Sequence, residues 1–353
     1  MNLRLIKIRA ELKKNKLDGL LVSLPANISY LTESISRDAY LLVSAKKNIY
    51  FTDSRYTEEA KGFLKDNACL EQSNGSVFKA IAKACRKLGL KSVGFEERYL
   101  AFAEFARLHQ LSKNEFSLVP THGLVEQLRE IKDASEIAKI RKAVQITQAT
   151  VEHISKFLHP GLKEVEVVGE IERFIRLTGA RACAFDVIVA SGPNSSKPHH
   201  LSGERLICDN QPVLIDLGVE YQGYKSDLTR VFFLGKINVL LRKVYNIVLK
   251  AQEKAIKLIR PNVEIAEIDK AARDYIAKCG YAGKFEHNLG HGFGLEVHES
   301  PHISAKEGSL VEAGMIFTIE PGIYLPGKFG IRIEDMILVT NKGCEVLSGA
   351  VNK

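Results

Sequence analysis

The chain has 353 residues, 45% of them apolar and 26% charged, with a formal net charge of +8. That length suits two domains, each able to bury a core, and the composition excludes a low-complexity or collagen-like protein. No apolar run approaches the roughly 20 residues that cross a bilayer, so no membrane partner is expected.

The segment LIKIRAELKKNKL (5–17) carries apolar residues at helical spacing. It lacks the continuous apolar core of a signal peptide, so a cytoplasmic setting is expected. GLLVSL (19–24), YLLVSA (40–45) and NIYFTD (48–53) read as buried strands. VFKAIAKACRKLG (77–89) reads as a helix closed by Gly89, and SVGFE (92–96) as another strand. These make a small α/β domain over residues 1–125. PTHGLVEQLREIKDASEIAKIRKA (120–143) then links into a long helix, with Asp133 and Ser135 as N-cap candidates and Glu136 in the first turn. The second domain therefore covers residues 126–353.

Within it, HPGLKEVEVVGEIERFIRLTGA (159–180) resembles RPNVEIAEIDKAARDYIAKCGY (260–281) at a constant offset of 101 residues. Pro160 matches Pro261, Glu166 matches Glu267, Ile175 matches Ile276, and Gly179 matches Gly280. Each copy reads as a proline-started helix closed by glycine, followed by a strand-like segment, AFDVIVASG or FEHNLGHGFG. Two such halves facing each other create a cleft at their shared axis. Basic and acidic residues are interspersed here, as in KEVEVVGEIERFIRL, so the positive charge reads as solvated helix faces and not as a nucleic-acid surface. The six cysteines are scattered with no CxxC pair, which excludes a disulfide frame and a cysteine zinc site.

PVLIDLGVEYQGYKSDLTRVFFLG (212–235) reads as two strands joined by a turn at VEYQGYKS. Asp216 sits between Ile215 and Leu217. Asp227 begins the next strand, with Thr229 on the same face. MIFTIEPGIY (315–324) is apolar except for Thr318 and Glu320; IRIEDMILVT (331–340) is apolar except for Arg332, Glu334 and Asp335. Arg332 and Glu334 share a face, and LPGKFG is the turn between the strands. A carboxylate buried alone is very costly, so acids in two apolar hairpins call for cations. HNLGHGFGLEVHES (287–300) adds His287, His291 and His298 on a glycine-rich stretch, where glycines 290, 292 and 294 let the backbone fold tightly. Carboxylates plus an imidazole are the ligand set for two hard or borderline divalent ions held close together.

The motifs IDLG, SDLTR, LGHGFGLEVHE, TIEPGIY and RIEDMILV, in this order and spacing, resemble the pita-bread metallopeptidases: methionine aminopeptidase, aminopeptidase P, prolidase and creatinase. NISYLTESISRDAYLLVS and YFTDSRY resemble the extra N-terminal domain of the proline-specific branch and of creatinase; ASGPNSSKPHH and LEVHESP also look like the proline-specific branch. The implied fold class is α+β: a small N-terminal α/β creatinase-like domain, then a C-terminal pita-bread domain with an internal pseudo-two-fold duplication.

The resemblance implies five metal ligands, Asp216, Asp227, His291, Glu320 and Glu334, with Asp227 and Glu334 touching both of two divalent ions. Mn²⁺ is the expected metal, with Co²⁺ or Zn²⁺ as alternatives. Glu320 would accept a proton from the attacking water. His298 and His199 would donate to the scissile carbonyl, and His287, Tyr324 and Arg332 would line the substrate pocket. Strand parity lets only one of His199 and His200 face inward, and the resemblance favours His199; His302 reads as structural or surface. The implied activity is that of an Xaa-Pro aminopeptidase acting on peptides with proline second, in a homodimer. The alternative within the branch is a strict Xaa-Pro dipeptidase (prolidase), for which Arg332 could bind the proline carboxylate. A non-catalytic binding module or a creatinase-like hydrolase fits relatives that have lost ligands, whereas all five positions here keep the ligand type.

Overall fold

Continuous apolar runs become interior strands, and the amphipathic segments become the helices that cover them. The computed structural model describes residues 2–65, 67–351 and 353. They divide into two units, Met1–Arg129 and Glu130–Lys353.

The first unit runs α1 (Leu3–Lys14), β1 (Gly19–Val22), α2 (Pro25–Thr32), β2 (Tyr40–Ser44), β3 (Ile49–Thr52), α3 (Thr57–Leu64), β4 (Cys69–Gln72), α4 (Val77–Leu88), β5 (Ser92–Glu96), α5 (Phe102–Ser112) and β6 (Ser117–Thr121). Its strands form one mixed sheet in the order β4-β3-β2-β1-β5-β6. Central β1 is buried at every residue, as expected of a strand with a parallel neighbour and both faces covered. Helix α4 buries Phe78, Ile81, Ala82 and Cys85, and Gly89 ends it in the left-handed conformation at φ 70°. The edge strands β4 and β6 had no clear sequence signal because their residues are mostly exposed or half-buried.

A short α6 (Glu126–Glu130) lies at the division. The second unit opens on α7 (Ala134–Phe157), where Asp133 accepts from the N–H groups of Ser135 and Glu136 and Glu136 reaches back to the N–H of Asp133. This is a capping box. Then follow α8 (Glu164–Leu177), β7 (Ala182–Cys183), β8 (Ile188–Ser191), β9 (Pro212–Leu217), β10 (Val219–Tyr221), β11 (Tyr224–Lys225) and β12 (Leu228–Phe233). The turn expected at VEYQGYKS is itself the hairpin β10–β11, with Gln222 and Gly223 both at positive φ, the requirement of a tight two-residue connection.

The second half of this unit repeats the plan with α9 (Val239–Leu258), α10 (Ile265–Ile276), β13 (Gly290–Gly292), β14 (Glu299–Ile303), β15 (Ile316–Ile319), β16 (Gly322–Leu325), β17 (Phe329–Arg332), β18 (Asp335–Val339) and β19 (Cys344–Val346). The duplication is visible in the backbone. Gly161 N–H donates to Ile207 O and Glu164 N–H to Arg205 O; 101 residues later Asn262 donates to Val311 O and Ile265 to Ser309 O. These strand-like bonds occupy the stretch after Pro160 and Pro261, so both helices begin four residues beyond the prolines and not at them. In each half two helices cover a sheet: Val144, Val151 and Ile171 pack with Val189 and Ile215, and Val248, Ala251 and Ile268 pack with Phe317 and Ile331.

One expectation needs correction. The segments around Glu320 and Glu334 are not continuous strands. The β15–β18 ladder ends at the pair Ile319–Asp335, and the β16–β17 ladder starts at Gly322–Arg332. Both glutamates stand in the break between the ladders, where Pro321 has no N–H to continue the pairing. Among the described residues no helix is long and apolar enough to cross a membrane.

Candidate functional site

Antiparallel β9 and β12 place Asp216 directly opposite Thr229. Asp227, two residues before Thr229, projects to the same face. Thr229 Oγ1 donates to Glu334 Oε2 at 2.8 Å, and Thr318 Oγ1 donates to Glu320 Oε1 at 3.2 Å. Each glutamate is thus steadied by one buried threonine hydroxyl.

His291 sits on β13, which pairs with β14 on one side and β15 on the other. Neither Gly290 nor Gly292 has a left-handed backbone; what they supply is room. A Cβ at Gly290 would lie 1.9 Å from Thr318 O, and one at Gly292 would lie 2.2 Å from Ser300 O. The His291 N–H donates to Thr318 Oγ1, and Nδ1 faces Gly292 O at 3.1 Å. A carbonyl can only accept, so the proton is assigned to Nδ1, and Nε2 carries a lone pair. That Nε2 lies 3.4 Å from Glu320 Oε1 and 3.6 Å from Asp227 Oδ2. Asp227, His291 and Glu334 each offer a ligand atom within 4.8 Å of the others.

The electrostatics favour cations. Burial, then the charges of Glu334, Asp216 and Glu320, push the Asp227 carboxyl well above the usual range. Burial followed by Glu320 and Asp216 does the same to Glu334, and burial lifts Glu320 to about 8. Burial and the neighbouring His298 lower His291 to about 4, so its ring is neutral. Asp216 Oδ2 accepts from Arg332 Nη2 at 2.7 Å, while its buried Oδ1 has no hydrogen-bond partner. Four acids around one arginine cannot all ionise unless further positive charge is present. Carboxylate oxygens, a neutral imidazole and an orphaned buried oxygen fit divalent metal ions.

One cavity of about 790 Å³ is lined by all five of these residues, by Arg332, and by His199, His287 and His298. The His291 and His298 rings are 4.3 Å apart. His302, expected to be structural or surface, also borders the cavity. Tyr324 lies behind the lining. Arg332 Nη1 donates to Tyr324 Oη at 3.0 Å, Tyr324 Oη is 3.0 Å from His287 Nε2, and His287 Nδ1 faces Asn288 O at 2.7 Å. The carbonyl at one end and the guanidinium at the other give this chain one direction: arginine to tyrosine to histidine to backbone. The remaining Arg332 contacts go from Nε to Thr229 Oγ1 and from Nη1 to Pro198 O.

His199 and His200 follow a 3₁₀ turn at Gly192–Ser196 and are not in a strand, so strand parity does not sort them. Glu164, fully buried at the start of α8, does. It accepts from His200 Nε2 at 2.8 Å, from the N–H and hydroxyl of Ser191, and from Asn194. Burial pushes the Glu164 carboxyl up, but these donors outweigh it and hold it below the usual range. His200 also borders the cavity but is anchored to Glu164, and His199 is left exposed on the cavity side. Glu164 gave no functional signal in the sequence because a glutamate at a helix start reads as an ordinary cap.

The described architecture has counterparts among known proteins. Residues 138–341 match metallopeptidase family M24, and residues 4–131 match the creatinase/prolidase N-terminal domain. The chain is 37% identical over 341 residues to the uncharacterized peptidase YqhT of Bacillus subtilis, covering 97% of this chain and 96% of that one. Among solved structures, an Xaa-Pro dipeptidase from Bacillus anthracis superposes with a TM-score of 0.95 at 37% identity, covering 99% of this chain and 98% of the other. An X-Pro aminopeptidase from Thermotoga maritima gives a TM-score of 0.88 at 34% identity, covering 94% and 96%.

Proposed function

The chain belongs to metallopeptidase family M24, and from that premise we propose that it hydrolyses the bond preceding proline in peptides with a free N-terminus. The observation that carries this is the convergence of Asp227, His291 and Glu334 to within 4.8 Å of one another, with Glu320 beside His291. In this reading Asp216, Asp227, His291, Glu320 and Glu334 would hold two divalent ions, Mn²⁺ first and Co²⁺ or Zn²⁺ as alternatives. Such ions, when bound, lower the pKa of water and polarise a carbonyl. Glu320 takes the proton of the attacking water on its carboxylate. His298 and His199 donate to the carbonyl oxygen as negative charge builds there. Arg332 fixes Asp216 and, through Tyr324, the ring of His287. Proline brings no N–H to the scissile bond. The apolar cavity wall of Val165, Phe185, Ile188 and Leu201 borders the residue before it. The complete acid and histidine set argues against a creatinase-like hydrolase or a non-catalytic module.

Two activities share this chemistry, and substrate length divides them. A strict dipeptidase needs a fixed cation for the proline carboxylate. Among the described residues Arg332 is the one arginine or lysine lining the cavity, and its donors go to Asp216, Thr229, Tyr324 and Pro198. That commitment supports aminopeptidase action on tripeptides and longer chains. The dipeptidase reading draws its support from the B. anthracis relative. The ratio of kcat/KM for Ala-Pro to that for Ala-Pro-Ala, on protein of measured metal content, tests both. A ratio near or below one supports the aminopeptidase; one far above it supports the dipeptidase; cleavage of neither by metal-loaded protein defeats the Xaa-Pro reading. A cytoplasmic homodimer completes the proposal; it rests on the resemblance, and light scattering on the purified chain tests the dimer.

A further inference from the structure

The break that carries Glu320 and Glu334 is flanked by two buried carbonyls, Ile319 O at the last β15–β18 pair and Ile333 O inside the break, and each belongs to the residue just before a glutamate. A single side chain reaches both. Gln252, fully buried on α9, donates from Nε2 to Ile319 O at 3.0 Å and to Ile333 O at 3.2 Å. One amide has two N–H bonds, and both are used. Its Oε1 accepts from Lys353 Nζ at 2.7 Å. That contact fixes the orientation, because a flipped amide would set its NH₂ against an ammonium and its oxygen against two carbonyls.

We propose that Gln252 is a positioning residue that sets the separation of Glu320 and Glu334, and through it the affinity of the site for divalent ions. This rests on the reading of those glutamates as metal ligands. Buried backbone carbonyls must be paired. Where the ladder fails, the backbone bond across the gap is long, Ile333 N–H to Pro321 O at 3.4 Å, and the planar Gln252 amide spans the gap with two shorter ones. A second support reaches the same strand independently: Arg230 donates from Nη1 to Glu334 O and from Nη2 to Asp335 Oδ1 at 2.8 Å. On the Ile319 side the Glu320 N–H donates to Leu289 O at 2.8 Å, so Gln252 ties together two strands that are each held from their outer side.

The test is calorimetric titration of Mn²⁺ into metal-free full-length protein, with the melting temperature of the metal-free form and the kinetics of the loaded form measured alongside. Gln252→Met keeps the length of the side chain and removes both donors. Val248→Ala, one turn earlier on α9 and equally buried, is the matched core lesion. Gln252→Met should weaken Mn²⁺ binding ten-fold or more and lower kcat with KM little changed. Val248→Ala, at a similar metal-free melting temperature, should keep Mn²⁺ affinity within two-fold. Gln252→Asn, one methylene too short to reach both carbonyls, should show the same signature in milder form, and it decides the question if Gln252→Met does not fold. Unchanged Mn²⁺ affinity in a folded Gln252 variant, or an equal loss in Val248→Ala, overturns the inference. Wild-type protein that binds no Mn²⁺ would defeat the proposed function itself, which is a separate result.

Discussion

Glu334 and Asp335 are neighbours in sequence, both buried, and their settings are opposite. Asp335 Oδ1 accepts from Arg230 at 2.8 Å and from Ser348 at 2.6 Å, and the Lys353 ammonium lies against the same carboxylate. Burial pushes its carboxyl up, but the two cations win and hold it below the usual range. Glu334 receives one threonine hydroxyl, and burial followed by the charges of Glu320 and Asp216 drives its carboxyl upward. The first acid has its counter-charge within the protein. The second faces the acids of the proposed metal site. Two adjacent acids in RIEDMILV are therefore of different kinds: one is held by cations of the fold, and the other, on the proposed reading, meets its counter-charge in a bound metal ion.

The largest effect should come from exchanging those roles. Glu334→Ala should lose bound metal, and kcat/KM should fall by at least about 10³-fold, beyond the scale of removing a single oxyanion donor. Its metal-free form should melt at or above the wild-type temperature, since one of four crowded acids is gone. Asp335→Ala should instead lower stability by about 3–5 kcal/mol, the usual consequence of stranding a buried charge such as Arg230. Metal analysis beside thermal melts checks the pair; a metal-free Glu334→Ala that melts well below wild type would break the contrast.

Next in size are the histidines at the cavity. His298→Ala and His199→Ala should retain metal yet lose on the order of 10²-fold in kcat. His291→Ala should lose metal as Glu334→Ala does. Stoichiometry by elemental analysis separates the two classes, and a fully active His298→Ala would remove that residue from the reaction.

A smaller effect appears with pH. The folded-state carboxyl of Glu164 is depressed, so its contribution to stability is complete above the unfolded value of about 4.3 and is lost as pH falls through the lower folded value. Melting temperatures of wild type and Glu164→Gln should therefore differ at neutral pH and converge under acid. A constant gap across that range would mean that the ionised carboxylate is not what holds His200. Least of all, Arg141→Ala should change stability by no more than about 1 kcal/mol, because its pair with Glu345 is roughly two-fifths exposed on both sides.

Much of the site was legible because acids in apolar runs are conspicuous. Asp216, Asp227, Glu320 and Glu334 announced themselves that way, and His291 by its glycines. The interior strands of the first unit were legible for the same reason, and its edge strands were not. What periodicity could not reveal was the break in the β15–β18 and β16–β17 ladders, since the apolar pattern runs through it unbroken. Nor could it reveal Gln252: in VLLRKVYNIVLKAQEKAIKL a glutamine reads as one more polar residue on an amphipathic helix. The histidine pair misled the parity argument because parity presupposes a strand, and Pro198–His200 is a turn. Glu164 was invisible because its partners are 27 to 39 residues away.

The glycines of β13 bear on how this protein could be re-engineered. At Gly290, Gly292 and Gly294 any added carbon collides with Thr318, Ser300 or Glu299, while His291 and Phe293 occupy the alternate face. A library randomised across this stretch would return few variants, because a side chain at Gly290 or Gly292 meets a backbone carbonyl, one at Gly294 has to displace the Glu299 carboxylate, and His291 carries the imidazole. The strand is frozen on both faces at once. Variation in substrate range has to be sought elsewhere on the cavity wall, where Val165 and Leu201 are open to solvent and stand apart in sequence from the backbone that carries His291.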